Sequence, residues 1–170
     1  MQGRKDQIVA AALELLAADG ADALSMRGIA ERVGIRAASI YKHFPNKEAL
    51  EAAMISEGFE RQAEAFERAG DELAALAGAY RDFARANPLL YRLMTERPLN
   101  RELLAPGVEA RAAAPVVAAA GGDGNLARAA WAFAHGMTIL ELNGRFPPGA
   151  DLDAAWARGL AAFTGPVGDK

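Results

Sequence analysis

Residues 26–44, MRGIAERVGIRAASIYKHF, decide the fold, because their spacing suits two short helices that cross at a tight turn. Gly34 can take a positive φ without a Cβ clash, which a sharp reversal between helices requires. Ala30 has almost no side chain, so the two helix axes can come close there. Ile40 plugs the second helix onto the first, and Ile29, Val33, Ile35 and Phe44 supply further buried contacts. The remaining positions of the second helix are polar or tiny: Arg36, Ala37, Ser39, Lys42 and His43 are left to face outward. Such a surface suits a helix that slides into a groove about 12 Å wide. Together these features predict a helix-turn-helix, an element that reads DNA.

Working outward, Ile8, Ala11, Ala12, Leu15 and Leu16 recur at the i, i+3, i+4, i+7, i+8 spacing of one helical face. They predict a first helix that packs on the other two and ends at Gly20. Ser25 is placed to cap the next helix by accepting a bond from an unsatisfied backbone N–H. Beyond the motif, Pro45 stops the second helix of the pair, and Asn46 can cap a fourth whose first turn holds Lys47 and Glu48. Lys47 then sits where a phosphate would bind.

The run from residue 8 to residue 50, above all GIRAASIYKHFPNKEAL, resembles the N-terminal DNA-binding domain of the TetR family of bacterial transcriptional regulators, with Tyr41, Phe44, Lys47 and Leu50 at its signature positions. The resemblance implies that Tyr41 places its hydroxyl on a phosphate, that His43 and Lys47 contact the same backbone, and that Ser25 and Arg27 grip phosphates beside the first helix of the motif. Such contacts position the protein and do not specify sequence. Base reading falls by the same resemblance to Arg36, Ala37, Ala38 and Ser39, with Lys42 at a base edge or on the backbone. Position 36 departs from the family, which usually has Ser or Thr there. The cap, worth about 1 kcal/mol, is then lost, while an arginine gains the option of a bidentate contact to guanine.

A length of 170 residues suits a small head plus a larger body, and abundant Ala and Leu with few β-branched runs make the chain all-α. The expected architecture is an N-terminal three-helix DNA-binding head over residues 1–47 and a helical effector-binding and dimerisation body over residues 48–170, about nine helices in all. No cysteine is present, so disulfide and thiolate chemistry are excluded. No stretch is apolar for long enough to span a bilayer, and MQGRKDQ lacks the apolar core of a signal peptide, so a cytoplasmic protein is expected. The net charge of −3 is unevenly spread: residues 1–47 hold seven Lys or Arg against five Asp or Glu, and residues 48–170 hold twelve against seventeen. A weakly basic head on an acidic body binds nonspecific DNA poorly, so specific binding needs two heads and good base contacts.

The body reads as helical to its end. A fourth helix runs toward Gly70. A fifth follows over residues 71–87 with Leu73, Leu76, Tyr80 and Phe83 on one face, and a sixth from Pro88, capped by Asn87, to Arg97. A seventh over residues 100–120 is expected to be interrupted by Pro106 and Pro115. The GGDG at residues 121–124 is a loop. Asn125 is expected to cap a helix over residues 126–145, and Asp151 another that reaches residue 163. Gly58, inside the fourth helix, costs about 1 kcal/mol relative to Ala and reads either as an incidental loss or as a pliable point between head and body.

In the helix over residues 126–145, Trp131, Phe133, Met137, Ile139, Leu140 and Leu142 spread around the axis, so it must be covered on several sides. Body and second subunit together can do so, with Leu140, Trp156, Leu160 and Phe163 forming a four-helix dimer interface. A central helix wholly buried in a monomer is the alternative. WAFAHGMTILELNGRF, with Trp131, His135 and Gly136, and the earlier YRDFARANPLLYRLM resemble the C-terminal domain of the TetR subgroup named after its Trp-His-Gly pattern. That resemblance implies a homodimer through the last two helices and a small-molecule pocket in each body.

Tyr80, Phe83, Tyr91, Met94, Phe133 and Met137 are the candidate pocket residues. The same pattern also describes an ordinary helical core, since periodicity does not separate a cavity wall from a packed interior. His135 reads as a hydrogen-bonded structural histidine or as a pocket or interface group. No HxxxH, HxxE or CxxC spacing occurs, so neither a metal nor another cofactor is expected. The leading class is a homodimeric regulator, a repressor released from a palindromic operator by a small-molecule effector. A DNA-binding structural protein without an effector, and a helical enzyme, are the competing classes. Two distant histidines, no phosphate loop and no nucleophile–base pair argue against the enzyme.

Overall fold

The computed structural model of the chain describes residues 3–164. Among them are nine α-helices, two 3-10 turns and no strand: α1 (Arg4–Asp19), α2 (Met26–Val33), α3 (Ala37–Ile40), α4 (Lys47–Ala69), α5 (Leu73–Ala86), α6 (Pro88–Thr95), α7 (Val108–Ala119), α8 (Gly124–Leu142) and α9 (Leu152–Thr164), with the 3-10 turns at Ala21–Ala23 and Arg101–Leu103. The all-α expectation therefore holds. None of these helices is long and apolar enough to cross a membrane.

The helices gather into two compact units. The first takes the residues up to Glu60 together with Asn87–Val108, and the second takes Arg61–Ala86 with the residues from Glu109 onward. In the first unit α1 packs against both α2 and α6, and α2 against α3. Its centre is built from the face that periodicity selects on α1, where Ile8, Ala11, Ala12, Leu15 and Leu16 are all buried, joined by Ile29, Ala30, Ile40, Phe44, Leu50 and Met54. Caps set the boundaries. Gly28 N donates to Ser25 Oγ at 3.1 Å and Ala49 N to Asn46 Oδ1 at 2.8 Å, and Gly20, at φ 83°, closes α1.

In the second unit α5 packs on α8 and α9, and α8 on α9. The inward stripe of α8 is Ala127, Ala130, Ala134 and Thr138, all small, while Trp131 is 52 % and Leu140 40 % exposed. Arg81 of α5 ties the three helices together: its Nε donates to Glu141 Oε2 at 3.0 Å and its Nη1 to Asp153 Oδ1 at 2.6 Å. Trp156 Nε1 donates to the other oxygen of Glu141 at 2.5 Å, and the Arg81 guanidinium lies 5.5 Å from the Trp156 ring centre. Burial alone would lower the Arg81 pKa, but the hydrogen bonds to Asp153 and Glu141 and their charges outweigh it and raise it further above neutrality.

Several local expectations need correction. α8 is capped by Asp123, whose Oδ1 accepts from Asn125 N at 2.8 Å and Leu126 N at 3.1 Å, so Asn125 is the second helical residue and not the cap. α8 also stops at Leu142, where Gly144, at φ 59°, turns the chain. Asn87 precedes Pro88 as expected but makes no side-chain cap bond. Pro106 does break the seventh helix, whereas Pro115 lies inside a continuous α7. An internal proline costs about 3 kcal/mol of helix stability. α7 is held regardless, by its buried Val108 and Ala112 and by Arg111 Nη2 on Glu67 Oε1 at 2.8 Å.

Candidate nucleic-acid interface

The turn between α2 and α3 is made at Gly34, the C-cap of α2, in the left-handed region at φ 71° and ψ 34°. Gly34 N bonds back to Glu31 O at 3.2 Å and Ile35 N to Ala30 O at 2.9 Å, so the reversal satisfies carbonyls at the end of α2. Ile29, Ala30 and Ile40 are buried at the crossing, while Val33 and Ile35 are half-buried. α3 is short, a single turn that runs on as turns through His43, with His43 N and Phe44 N both bonding to Ile40 O. Phe44 is buried, and Lys5 Nζ lies 5.9 Å from its ring centre.

This scaffold leaves all ten sequence-selected residues at the surface. Ser25, Arg27, Arg36, Ala38, Tyr41, Lys42 and Lys47 are exposed, and Ala37, Ser39 and His43 are half-buried. Tyr41 is the large aromatic of the group and is left 52 % exposed, which a core residue would not be. Ser25 Oγ accepts from Gly28 N, and its own O–H is a separate donor that the cap does not use. Arg36 occupies the N-cap of α3 in extended conformation and makes no side-chain cap bond, as its substitution for Ser or Thr implies.

Two of the cations have carboxylate neighbours that the sequence reading did not single out. Arg27 Nε donates to Glu31 Oε1 at 3.0 Å, and Lys47 Nζ lies 3.6 Å from Glu51 Oε1. Both pairs are at i, i+4 spacing, the signal that would have found them. Glu51 also meets Arg97 Nη1 at 3.6 Å, a long-range contact with no local signature.

The six pocket candidates fall in both units. Tyr80 and Phe83 on α5 are buried and Phe133 and Met137 on α8 half-buried in the second unit, while Tyr91 and Met94 on α6 are buried in the first. Phe133 meets Trp156 edge-on at 5.6 Å and Phe163 at 5.8 Å. A small cavity of about 60 Å³ in the first unit, between the start of α4 and the segment after α6, is lined by none of the six. Of the interface candidates, Leu140 is exposed, Phe163 half-buried, and Trp156 and Leu160 buried. His135 lies beside Trp131, ring centres 6.1 Å apart. No group of three or more His, Cys, Asp or Glu among the described residues is placed to hold a metal ion.

A glycine-turned helix pair on a supporting first helix, with cations and a tyrosine hydroxyl outside and branched residues inside, defines a helix-turn-helix DNA-binding protein. The chain belongs to the tetR family of bacterial regulatory proteins, whose family description matches residues 8–54, and residues 73–163 match the tetracyclin repressor-like C-terminal domain. Trp131, His135 and Gly136 lie inside that second match. Over 154 residues the chain is 31 % identical to Rv0681 of Mycobacterium tuberculosis, described as an HTH-type transcriptional regulator, covering 82 % of this chain and 71 % of the relative. The crystal structure of regulatory protein SCO4313 superposes with a TM-score of 0.76 at 27 % identity, covering 95 % of each chain. That of the multidrug binding protein EbrR, complexed with imidazole, gives 0.70 at 25 %, covering 97 % of this chain and 92 % of the other.

Proposed function

We propose that the protein is a homodimeric, cytoplasmic repressor that occupies a palindromic operator and is released by a small-molecule effector. The observation that carries the reading is the α2–α3 pair: its left-handed turn at Gly34 and buried Ile29, Ala30 and Ile40 leave Arg36, Ala37, Ala38, Ser39 and Lys42 free to meet bases. Ser25, Arg27, Tyr41, His43 and Lys47 take phosphates, so the DNA-contacting function ends at residue 47 and the regulatory function lies in residues 48–170. Arg36 pairs with a guanine toward the edge of each half-site.

Dimerisation through α8 and α9 is supported by the exposed Leu140, a large apolar group on the side of α8 opposite its small inward stripe. Leu140 and Phe163 meet the partner, and Trp156 and Leu160, buried within the one chain, hold α9 in place beside them. An effector is supported by the likeness to the drug-binding EbrR. Tyr80, Phe83, Phe133 and Met137 are the contact residues to test in the second unit, with Tyr91 and Met94 in the first. Two heads matched to major grooves about 34–36 Å apart bind together. The effector favours a spacing that no longer matches, and a swing from 1:99 to 99:1 requires about 5.5 kcal/mol of preference.

Selection of sites from a random duplex library at physiological salt tests the reading. An enriched inverted repeat is expected, with G at the position that Arg36→Ala ceases to distinguish. Failure of any sequence to enrich would refute operator binding.

A further inference from the structure

Glu51 is shared between two cations of the first unit. Lys47 Nζ stands 3.6 Å from its Oε1, and Arg97 Nη1 stands 3.6 Å from its Oε2. The Glu51 side chain is only 17 % exposed, whereas Lys47 is 47 % and Arg97 64 % exposed, so the carboxylate is a fixed charge and the two cations are the adaptable partners. The chain just after Arg97 is tied to α4. Asn100 Nδ2 donates to Glu48 Oε1 at 2.8 Å, and Ala105 N donates to Ser56 Oγ at 2.9 Å, fastening the segment after α6 along α4. Ser56 is itself buried and bonded to Ala52 O at 2.8 Å. The Ser56 fastening is therefore sheltered, whereas the Asn100–Glu48 bond lies at the surface.

We infer that Arg97 is a positioning residue for DNA binding: by occupying Glu51, it keeps that carboxylate from holding Lys47 back from the phosphate. A lone Glu51 would compete with DNA for the Lys47 ammonium and would also set an uncompensated negative charge beside the proposed phosphate position. With Arg97 on the second oxygen the carboxylate charge is offset, so Lys47, although 3.6 Å from Oε1, is given up more readily to a phosphate. The inference rests on the phosphate role of Lys47 given above and adds a residue about fifty positions beyond the helix-turn-helix.

The test is a cycle in the full-length protein, read by anisotropy on a labelled mixed-sequence duplex of about three helical turns at low salt, since phosphate contacts do not depend on sequence. Arg97→Ala should weaken binding about fivefold, the upper range for an exposed ion pair, and reduce the dependence of log K on log salt by about one ion. Arg97→Lys should restore most of both. Glu51→Gln should strengthen binding, and in that background Arg97→Ala should have no effect on affinity or salt slope. Equal losses from Arg97→Ala with and without Glu51 would mean that Arg97 acts through its own field, and would overturn the inference. If Lys47→Ala leaves binding unchanged, the phosphate role of Lys47 itself fails. If Lys47→Ala weakens binding and the Glu51–Arg97 cycle is additive, only the positioning role fails. Melting temperatures of all variants separate these outcomes from loss of fold.

Discussion

Replacing Gly58 with alanine sets two comparable free energies against each other. Alanine is favoured over glycine inside a helix by about 1 kcal/mol, so sequence alone predicts a more stable α4. However, a Cβ built on Gly58 would lie 2.5 Å from Met94 Sδ, 3.2 Å from its Cγ and 3.3 Å from its Cε. Non-bonded carbon atoms rest at about 3.5–4.0 Å, so the sulfur must retreat by about 1 Å or more. Met94 is buried, so its side chain can retreat only by pressing on its own neighbours. Overpacking of this kind costs about 1–3 kcal/mol, with methionine toward the lower end because it is unbranched. Gly58→Ala should therefore destabilise by up to about 1 kcal/mol net, and Gly58 is a close-approach glycine and not an incidental loss. Met94→Ala alone should cost about 2–5 kcal/mol. In that background Gly58→Ala should turn stabilising by about 1 kcal/mol, because only the propensity gain remains. Urea unfolding at fixed protein concentration measures all four corners. A single Gly58→Ala variant that is more stable than the parent, or an additive cycle, would refute the reasoning.

The cap of α8 gives a local test: Asp123→Ala should lower stability by about 1 kcal/mol, whereas Asn125→Ala should be close to neutral, and the reverse order in thermal melts would restore Asn125 as the cap. Thr138 Oγ1 is buried with no hydrogen-bond partner among the described residues. Thr138→Val keeps the shape and removes the orphaned hydroxyl, so it should stabilise by about 1 kcal/mol, and a fall in melting temperature would show that the hydroxyl has a partner. Leu140→Glu places a charge on an exposed helix face. It should leave helix content unchanged by circular dichroism while converting the proposed dimer to monomer in sedimentation, and a variant that sediments as a dimer would remove Leu140 from the proposed interface.

What the sequence disclosed and what it hid divide along contact range. Ser25, Gly34, Asn46 and Asp151 are legible because a cap or a left-handed turn is settled within three or four residues, and each functions where expected, Asp151 Oδ1 accepting from Ala154 N at 2.9 Å. The buried face of α1 is legible for the same reason. Asp123 and Asn125 are both good caps, and the choice between them falls to the glycine turn before them, where Gly121 and Gly122, at φ 65° and 85°, deliver Asp123 in extended conformation. Pro115 escapes the local rule, since α7 runs through it unbroken. Glu51 with Arg97, Gly58 with Met94, and Arg81 with Glu141 and Trp156 link residues far apart in the chain, and no window of sequence contains both partners.

These long-range contacts bear on where DNA affinity is set. The residues assigned to DNA stop at Lys47, but the compact unit holding them extends through Glu60 and takes in Asn87–Val108. Leu50 and Met54, just past Lys47, are fully buried. Farther along α4, Glu48 meets Asn100, Glu51 meets Arg97, Ser56 meets Ala105 and Gly58 receives Met94. Three of these four contacts run in reversed order, Met94 against Gly58 and Arg97 and Asn100 against Glu51 and Glu48 near the Lys47 end, while Ala105 returns to Ser56. A displacement of α6 along its own axis would change the packing at Gly58 and the charge at Glu51 together, because both partners leave from the same helix end. On the proposed role of Lys47, affinity for phosphate is a property of this whole unit, and substitutions near residue 97 belong in any search for its determinants as much as those on the helix proposed to enter the groove.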